Sequence, residues 1–112
     1  MRPVIEIRHY VSRAGKDVFD DWLSQPPDAR TQAKIASRIN RLAAGKFGDC
    51  KALRHGLSEL RIDWGPGYRV YYAMLGRVCV LLLCGGDKRK QASDIGRAFE
   101  YRKGLQRKDQ TP

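Results

Sequence analysis

Along the chain the apolar positions change period several times, and each change marks an element. Residues 4–11 are β-branched and aromatic with partial alternation, which predicts a first strand. From Lys16, Phe19, Trp22 and Leu23 recur at helical spacing, and Pro26-Pro27 is expected to stop this first helix. Asp28 can cap a second helix reaching about Ala44, with Ile35, Ala36, Ile39, Leu42 and Ala43 on one face and Gly45 at its end. At about 100° per residue, Arg30, Lys34, Arg38 and Arg41 fall on the opposite face. Such a stripe is ordinarily a solvated surface, and it can equally face an acidic partner.

Beyond the polar turn at Gly48-Asp49, residues 50–55 predict a short strand. Residues 57–64 then alternate, with Leu60, Ile62 and Trp64 on one face and Glu59, Arg61 and Asp63 on the other, so one side is core and one is charged. Gly65-Pro66-Gly67 supplies turn chemistry, and residues 68–75 form the return strand of a hairpin. Residues 78–84 are apolar on both faces, as expected of a central, covered strand, and Gly85-Gly86 is expected to break it. Residues 91–103 carry Ile95, Ala98 and Phe99 at helical spacing, and residues 104–112 are a polar tail expected to fray. Strand, two helices, a meander of mostly antiparallel strands and a terminal helix predict an α+β class, with helices covering one side of the sheet. A chain of 112 residues is expected to form a single domain over its whole length.

Composition sharpens this picture. The apolar residues are gathered into periodic segments, so a packed core is expected and disorder is not. The longest apolar run, residues 78–84, is far short of the roughly 20 residues that cross a bilayer, and no apolar block with a cleavage site opens the chain. The expectation is a cytoplasmic protein with no membrane partner. Cys50, Cys79 and Cys84 are odd in number and lack a CxxC pair, so neither a disulfide framework nor a metal site is indicated, and no cofactor is expected. Twenty-two Lys and Arg against 12 Asp and Glu give a formal charge of +10, which points to polyanionic partners.

Four segments are more specific. Lys51-Ala52-Leu53-Arg54-His55-Gly56, Glu59-Leu60-Arg61, Gly67-Tyr68-Arg69-Val70-Tyr71-Tyr72 and Gly85-Gly86-Asp87-Lys88-Arg89-Lys90-Gln91, followed by Asp94-Ile95 and Ala98, together resemble the RelE/ParE superfamily of toxins. They are most similar to its HigB-like branch, the addiction module killer proteins, and the resemblance runs from Phe19 to about Tyr101. It implies a RelE-like compact domain: a mostly antiparallel sheet, two N-terminal helices packed on one face, a C-terminal helix, and a concave basic open face. It also implies that this face enters the ribosomal A site and cuts messenger RNA, without a metal, by attack of the ribose 2′-hydroxyl on the adjacent phosphate.

That chemistry needs a cation for the charged phosphorane, a base for the 2′-hydroxyl and an acid for the departing 5′-oxygen. The resemblance assigns Arg69 to the scissile phosphate, and a planar guanidinium suits bidentate phosphate binding. Lys88-Arg89 aligns with the Lys-Arg pair after the last strand of RelE, where the arginine supports the transition state or the leaving group. The Gly-Gly-Asp-Lys pattern of the HigB-like branch points instead to Lys88. Arg61 and Glu59 share the charged face, where Glu59 can act as a base or pair with Arg61 or Arg69. RelE has lysine at the place of Glu59 and tyrosine at that of Ile95, so base and acid stay open. His55 is a further candidate, since an unperturbed pKa of about 6.5 lets it move protons near neutrality. Lys51, Arg54 and Lys90 are candidate RNA-backbone contacts, and Tyr71 is a candidate for stacking on a base.

The resemblance further implies a cognate antitoxin, encoded in the same operon and carrying a helix-turn-helix domain, through which the complex would reach operator DNA. Ribosome and messenger RNA complete the expected partners. Two other readings use the same features: a ParE-like inhibitor of DNA gyrase that cuts nothing, and a non-catalytic RNA-binding module.

Overall fold

The computed structural model describes residues 5–25 and 28–109. Five strands, β1 (Glu6–His9), β2 (Cys50–Ala52), β3 (Leu57–Ile62), β4 (Tyr68–Leu75) and β5 (Cys79–Asp87), form one sheet in the order β1-β5-β4-β3-β2. β1 runs parallel to β5, and the other neighbours are antiparallel. With the helices α1 (Val18–Leu23), α2 (Ala29–Ala43) and α3 (Gln91–Asp109), the architecture is the α+β arrangement that the pattern predicts. Among the described residues, no helix is long and apolar enough to cross a membrane.

Local chemistry sets most boundaries. Asp17 caps α1 by accepting from the Asp20 N–H at 2.9 Å, and the helix ends at Leu23. Pro26 and Pro27, expected to stop it, lie outside the described residues, as does Val4 of the expected first strand. Asp28 caps α2 through the Arg30 N–H at 2.9 Å, an interaction that typically contributes about 1 kcal/mol. Gly45, at φ +83°, turns the chain out of that helix.

Three expectations are corrected. The strand expected over residues 50–55 ends at Ala52, because residues 54–56 form a tight 3-10 turn with His55 and Gly56 at φ +59° and +74°. Leu53 N–H donates to the Leu57 carbonyl at 2.7 Å and closes this turn. Gly85-Gly86 does not break β5, which continues through Asp87. The glycines stand inside the strand because a Cβ on Gly85 would overlap the Trp22 ring and one on Gly86 would overlap the Asp94 carboxylate. Finally, α3 continues past Gly104 to Asp109, where a frayed tail is expected; residues 110–112 lie outside the described residues.

The sheet carries two cores. Phe19 of α1 and Ile35, Ile39 and Leu42 of α2 pack on Leu60, Ile62, Val70, Tyr72, Val80 and Leu82. On the opposite face, Ile95, Ala98 and Phe99 of α3 pack on Leu57, Tyr71, Ala73, Leu81 and Leu83. The face that the resemblance leaves open is therefore partly covered by α3, and β5 is buried from Cys79 to Gly86. A bulge places Tyr71 opposite Cys84 and Tyr72 opposite Leu82, leaving Leu83 without a direct partner.

Candidate active site

Side-chain alternation on the α3 face produces two adjacent rows across the sheet. One row runs Lys51, Glu59, Tyr71, Cys84, and the next runs Arg61, Arg69, Gly86. Gln91 begins α3 and donates from its Nε2 to Glu59 Oε1 at 2.8 Å, so the helix starts over the first row. In the second row Arg61 is half-buried, and the Arg69 side chain keeps 14% of its surface exposed.

Arg61 and Arg69 are direct cross-strand partners, an arrangement of like charges that destabilises a sheet unless something compensates. Glu59 compensates. Its Oε1 lies 2.9 Å from Arg69 Nε, and its side chain is fully buried. The Arg69 N–H is not directed along this contact, so the pair is ionic rather than a well-aimed hydrogen bond. Glu59 Oε2, Arg61 Nε and the Tyr71 hydroxyl are also buried without a hydrogen-bond partner among the described residues. Buried polar atoms of this kind are commonly satisfied by water or ligand.

The charged face expected for Glu59 is thus an interior one at that position. Burial takes its carboxylate out of reach of a bound ribose and leaves the pairing role, with Arg69 as partner. Tyr71 has no exposed surface, so its ring cannot stack on a base, and that expectation is corrected. Burial, reinforced by the Glu59 and Asp94 carboxylates, holds the Tyr71 hydroxyl well above the ordinary phenol range and keeps it protonated near neutrality.

The remaining candidates surround this centre. Lys51 is exposed on β2 opposite Glu59. Arg54 and His55 belong to the turn before β3 and gather at Phe99, the guanidinium 5.7 Å and the imidazole 5.7 Å from its ring centre. Their turn precedes Leu57, which lies four residues from Arg61 along β3, about 13 Å at strand spacing. The structure therefore seats His55 with Phe99 and apart from Arg69. Past β5, Lys88, Arg89 and Lys90 form a short exposed turn capped by Asp87, which accepts from the Arg89 N–H at 2.9 Å. Arg89 Nη2 is 3.1 Å from Asp87 Oδ2, and this hydrogen bond holds the Asp87 carboxyl below its usual range. Lys88 flanks Gly67 in the β3–β4 turn and has no ion pair among the described residues.

Two site residues were missed in the sequence. Gln91 closes the quoted segment that begins at Gly85, yet nothing in its local pattern says that it reaches back to β3. Arg102 of α3 lies beside Gly56 with a buried Nε that has no partner among the described residues. Conversely, Arg38 of the basic α2 stripe is structural: its Nη2 donates to the Phe47 and Arg61 carbonyls at 3.2 and 3.4 Å. Lys34 lies over the Trp64 ring at 4.9 Å.

The fold and site define a small α+β protein with a sheet-borne arginine pair anchored from below by a carboxylate and rimmed by lysines. The family model described as "Phage derived protein Gp49-like" matches residues 20–101, and the chain belongs to that family. An uncharacterized protein of Haemophilus influenzae is 54% identical to it over 80 residues, which are 71% of this chain and 81% of that protein.

Proposed function

We propose that this protein is the toxin of a type II toxin–antitoxin pair, of the RelE/ParE superfamily and its HigB-like branch, and that it is a ribosome-dependent messenger-RNA endoribonuclease acting in the cytoplasm. The observation that carries the reading is the Gln91–Glu59–Arg69 assembly, which fixes one guanidinium beside a second, Arg61, on an otherwise basic face. A cation held from behind needs no reorganisation when charge develops on a phosphorane, and that preorganisation stabilises a transition state.

In the proposed reaction Arg69 and Arg61 bind the scissile phosphate, while Lys88 and Arg89 approach from the turn after β5. The 2′-oxygen attacks phosphorus, its proton passes to a base, and the phosphorus–O5′ bond breaks as O5′ takes up a proton. The products are a 2′,3′-cyclic phosphate and a 5′-hydroxyl. Lys51, Arg54 and Lys90 hold flanking phosphates, and a cognate antitoxin restrains the activity.

The test is primer extension on a reporter messenger after inducing the wild type or Arg69→Ala in cells lacking the antitoxin. In-frame cuts that require translation and disappear with Arg69→Ala are the expected result. Growth arrest with intact messenger overturns the nuclease and makes gyrase supercoiling the next assay.

A further inference from the structure

The reverse side of the sheet carries a second charged surface. At about 100° per residue, Arg30, Ala33, Lys34, Ser37 and Arg41 of α2 fall within one arc. The arc is turned away from Ile35, Ile39 and Leu42 in the core, and all five residues are exposed. From Arg30 to Arg41 it runs about 16 Å at helical rise. α2 contains no Asp or Glu, and Arg30, Lys34 and Arg41 form no ion pair among the described residues. Arg38, the fourth cation of the helix, is turned to the Phe47 and Arg61 carbonyls and leaves the arc to the other three.

Two adjoining grooves follow this arc. One, of about 580 Å³, is lined by Arg30, Ala33, Lys34, Ser37 and Trp64. The other, of about 350 Å³, shares Lys34, Ser37 and Trp64 and continues to Arg41, Asp49 and Asp63. Trp64 is fixed between α2 and the β3–β4 turn: its Nε1 donates to Thr31 Oγ1 at 3.1 Å, and Lys34 Nζ lies 4.9 Å from the ring centre. Ala33 and Ser37, one turn apart, leave a furrow between the cations. Small side chains at a contact let a second helix lie close along the first. Carboxylates on that helix at i, i+4 and i+11 would meet Arg30, Lys34 and Arg41, and an apolar side chain between them would meet Ala33 and Trp64. RNA matches less well, because a phosphate chain carries one sign along its whole length and exposed Asp49 and Asp63 line the groove beside Arg41. A polypeptide can place a neutral or cationic residue there. A second copy of this chain, at a formal charge of +10, would bring like charge to the face.

We propose that the α2 groove docks an acidic amphipathic helix of a partner protein, with Arg30, Lys34 and Arg41 pairing its carboxylates and Trp64 bounding its apolar side. α2 packs on the face of the sheet opposite α3, so this partner leaves the Arg61 and Arg69 row open. The assignment goes beyond the RNA-cleaving reading and does not depend on it.

The test is titration of the ¹⁵N-labelled full chain with a synthetic alanine-based helix bearing glutamates at i, i+4 and i+11, following the Trp64 indole N–H resonance, assigned by its loss in Trp64→Phe. A saturable shift is expected. Exchanging the three glutamates for glutamines should weaken binding at least about tenfold, and Lys34→Gln or Arg41→Gln about threefold each, the scale of one exposed ion pair. Ser37→Leu, which fills the furrow, is expected to abolish the shift. Saturating peptide should leave the affinity for a 2′-O-methyl oligouridylate, which cannot be cut, unchanged. Absence of the shift, or binding indifferent to the glutamates or to Ser37→Leu, overturns the site. Competition between peptide and oligouridylate, or an oligouridylate that itself moves the Trp64 resonance, overturns it in favour of an RNA surface.

Discussion

Glu59 Oε1 lies 2.9 Å from Arg69 Nε, and the carboxylate in this pair has no solvent exposure. Charge buried to that extent depends on its partner, since removing one member leaves the other without compensation. Glu59→Ala is therefore expected to destabilise the protein by about 3 kcal/mol, measured by urea denaturation. It should also release Gln91 from its only hydrogen bond with β3 recorded among the described residues. A loss below about 1 kcal/mol would mean that the pair is incidental to the fold.

Gly85→Ala places a methyl group inside the Trp22 ring. Overpacking of this kind costs about 1–3 kcal/mol, so the midpoint of thermal unfolding should fall by several degrees. Trp22→Leu in the same chain should recover part of that loss, because the two substitutions act on one contact. Strict additivity of the two in a double-mutant cycle would contradict the packing described for β5.

At alkaline pH the buried thiol of Cys84 should govern stability first. Burial is the main reason that it is pushed up to about 12, whereas an unfolded cysteine ionises near about 8.5. The unfolded chain thus loses its proton first, and the stability present below about pH 8 is lost as pH rises toward the folded value. Cys84→Ala should flatten this decline above about pH 8.5, by an amount that approaches about 1.4 kcal/mol per pH unit toward about pH 10, as read from urea midpoints at a series of pH values. An unchanged slope would show that Cys84 contributes nothing to it.

Binding of single-stranded RNA should weaken as salt rises, with the slope recording how many phosphates are neutralised. Lys88→Ala and Arg61→Ala are each expected to reduce the slope of log K against log salt by about 0.7, the value for one phosphate contact on a single strand. Ala33→Lys on the exposed α2 surface should leave it unaltered. Slopes indifferent to Lys88 and Arg61 would move the RNA-binding face elsewhere.

Much of the fold was legible because local patterns dominate it. The boundaries of β4 coincide with the expected residues 68–75, and Asp28 caps α2 as its side chain suggests. The alternation over β3 sorted Leu60 and Ile62 from Glu59 and Arg61 onto opposite faces. What it could not show is that the charged side would be roofed at Glu59, since that depends on where α3, more than thirty residues later, begins. Gly85-Gly86 misled for a related reason: as a pair in sequence they read as a break, whereas their use comes from Trp22 and Asp94 approaching from elsewhere in the chain. The parallel pairing of β1 with β5 likewise has no signature within either segment. For the site, residue types were readable but not depth, which separates Arg61 and Arg69 from the fully enclosed Tyr71.

The unpaired Leu83 in β5 fixes the phase of everything that follows it. Leu82 belongs to the core under α1 and α2, while both Leu83 and Cys84 belong to the core under α3. That half-step places Gly85 opposite Val70 and Gly86 opposite Arg69, and so turns each glycine toward the residue that occupies its empty side. Deleting one residue here would exchange the two faces: the tryptophan would meet the wrong partner, and the loop of basic residues would start from the opposite side of the sheet. Length variation among relatives is therefore expected to accumulate in the connecting loops and to spare this strand, where a single insertion or deletion acts as a frameshift in space.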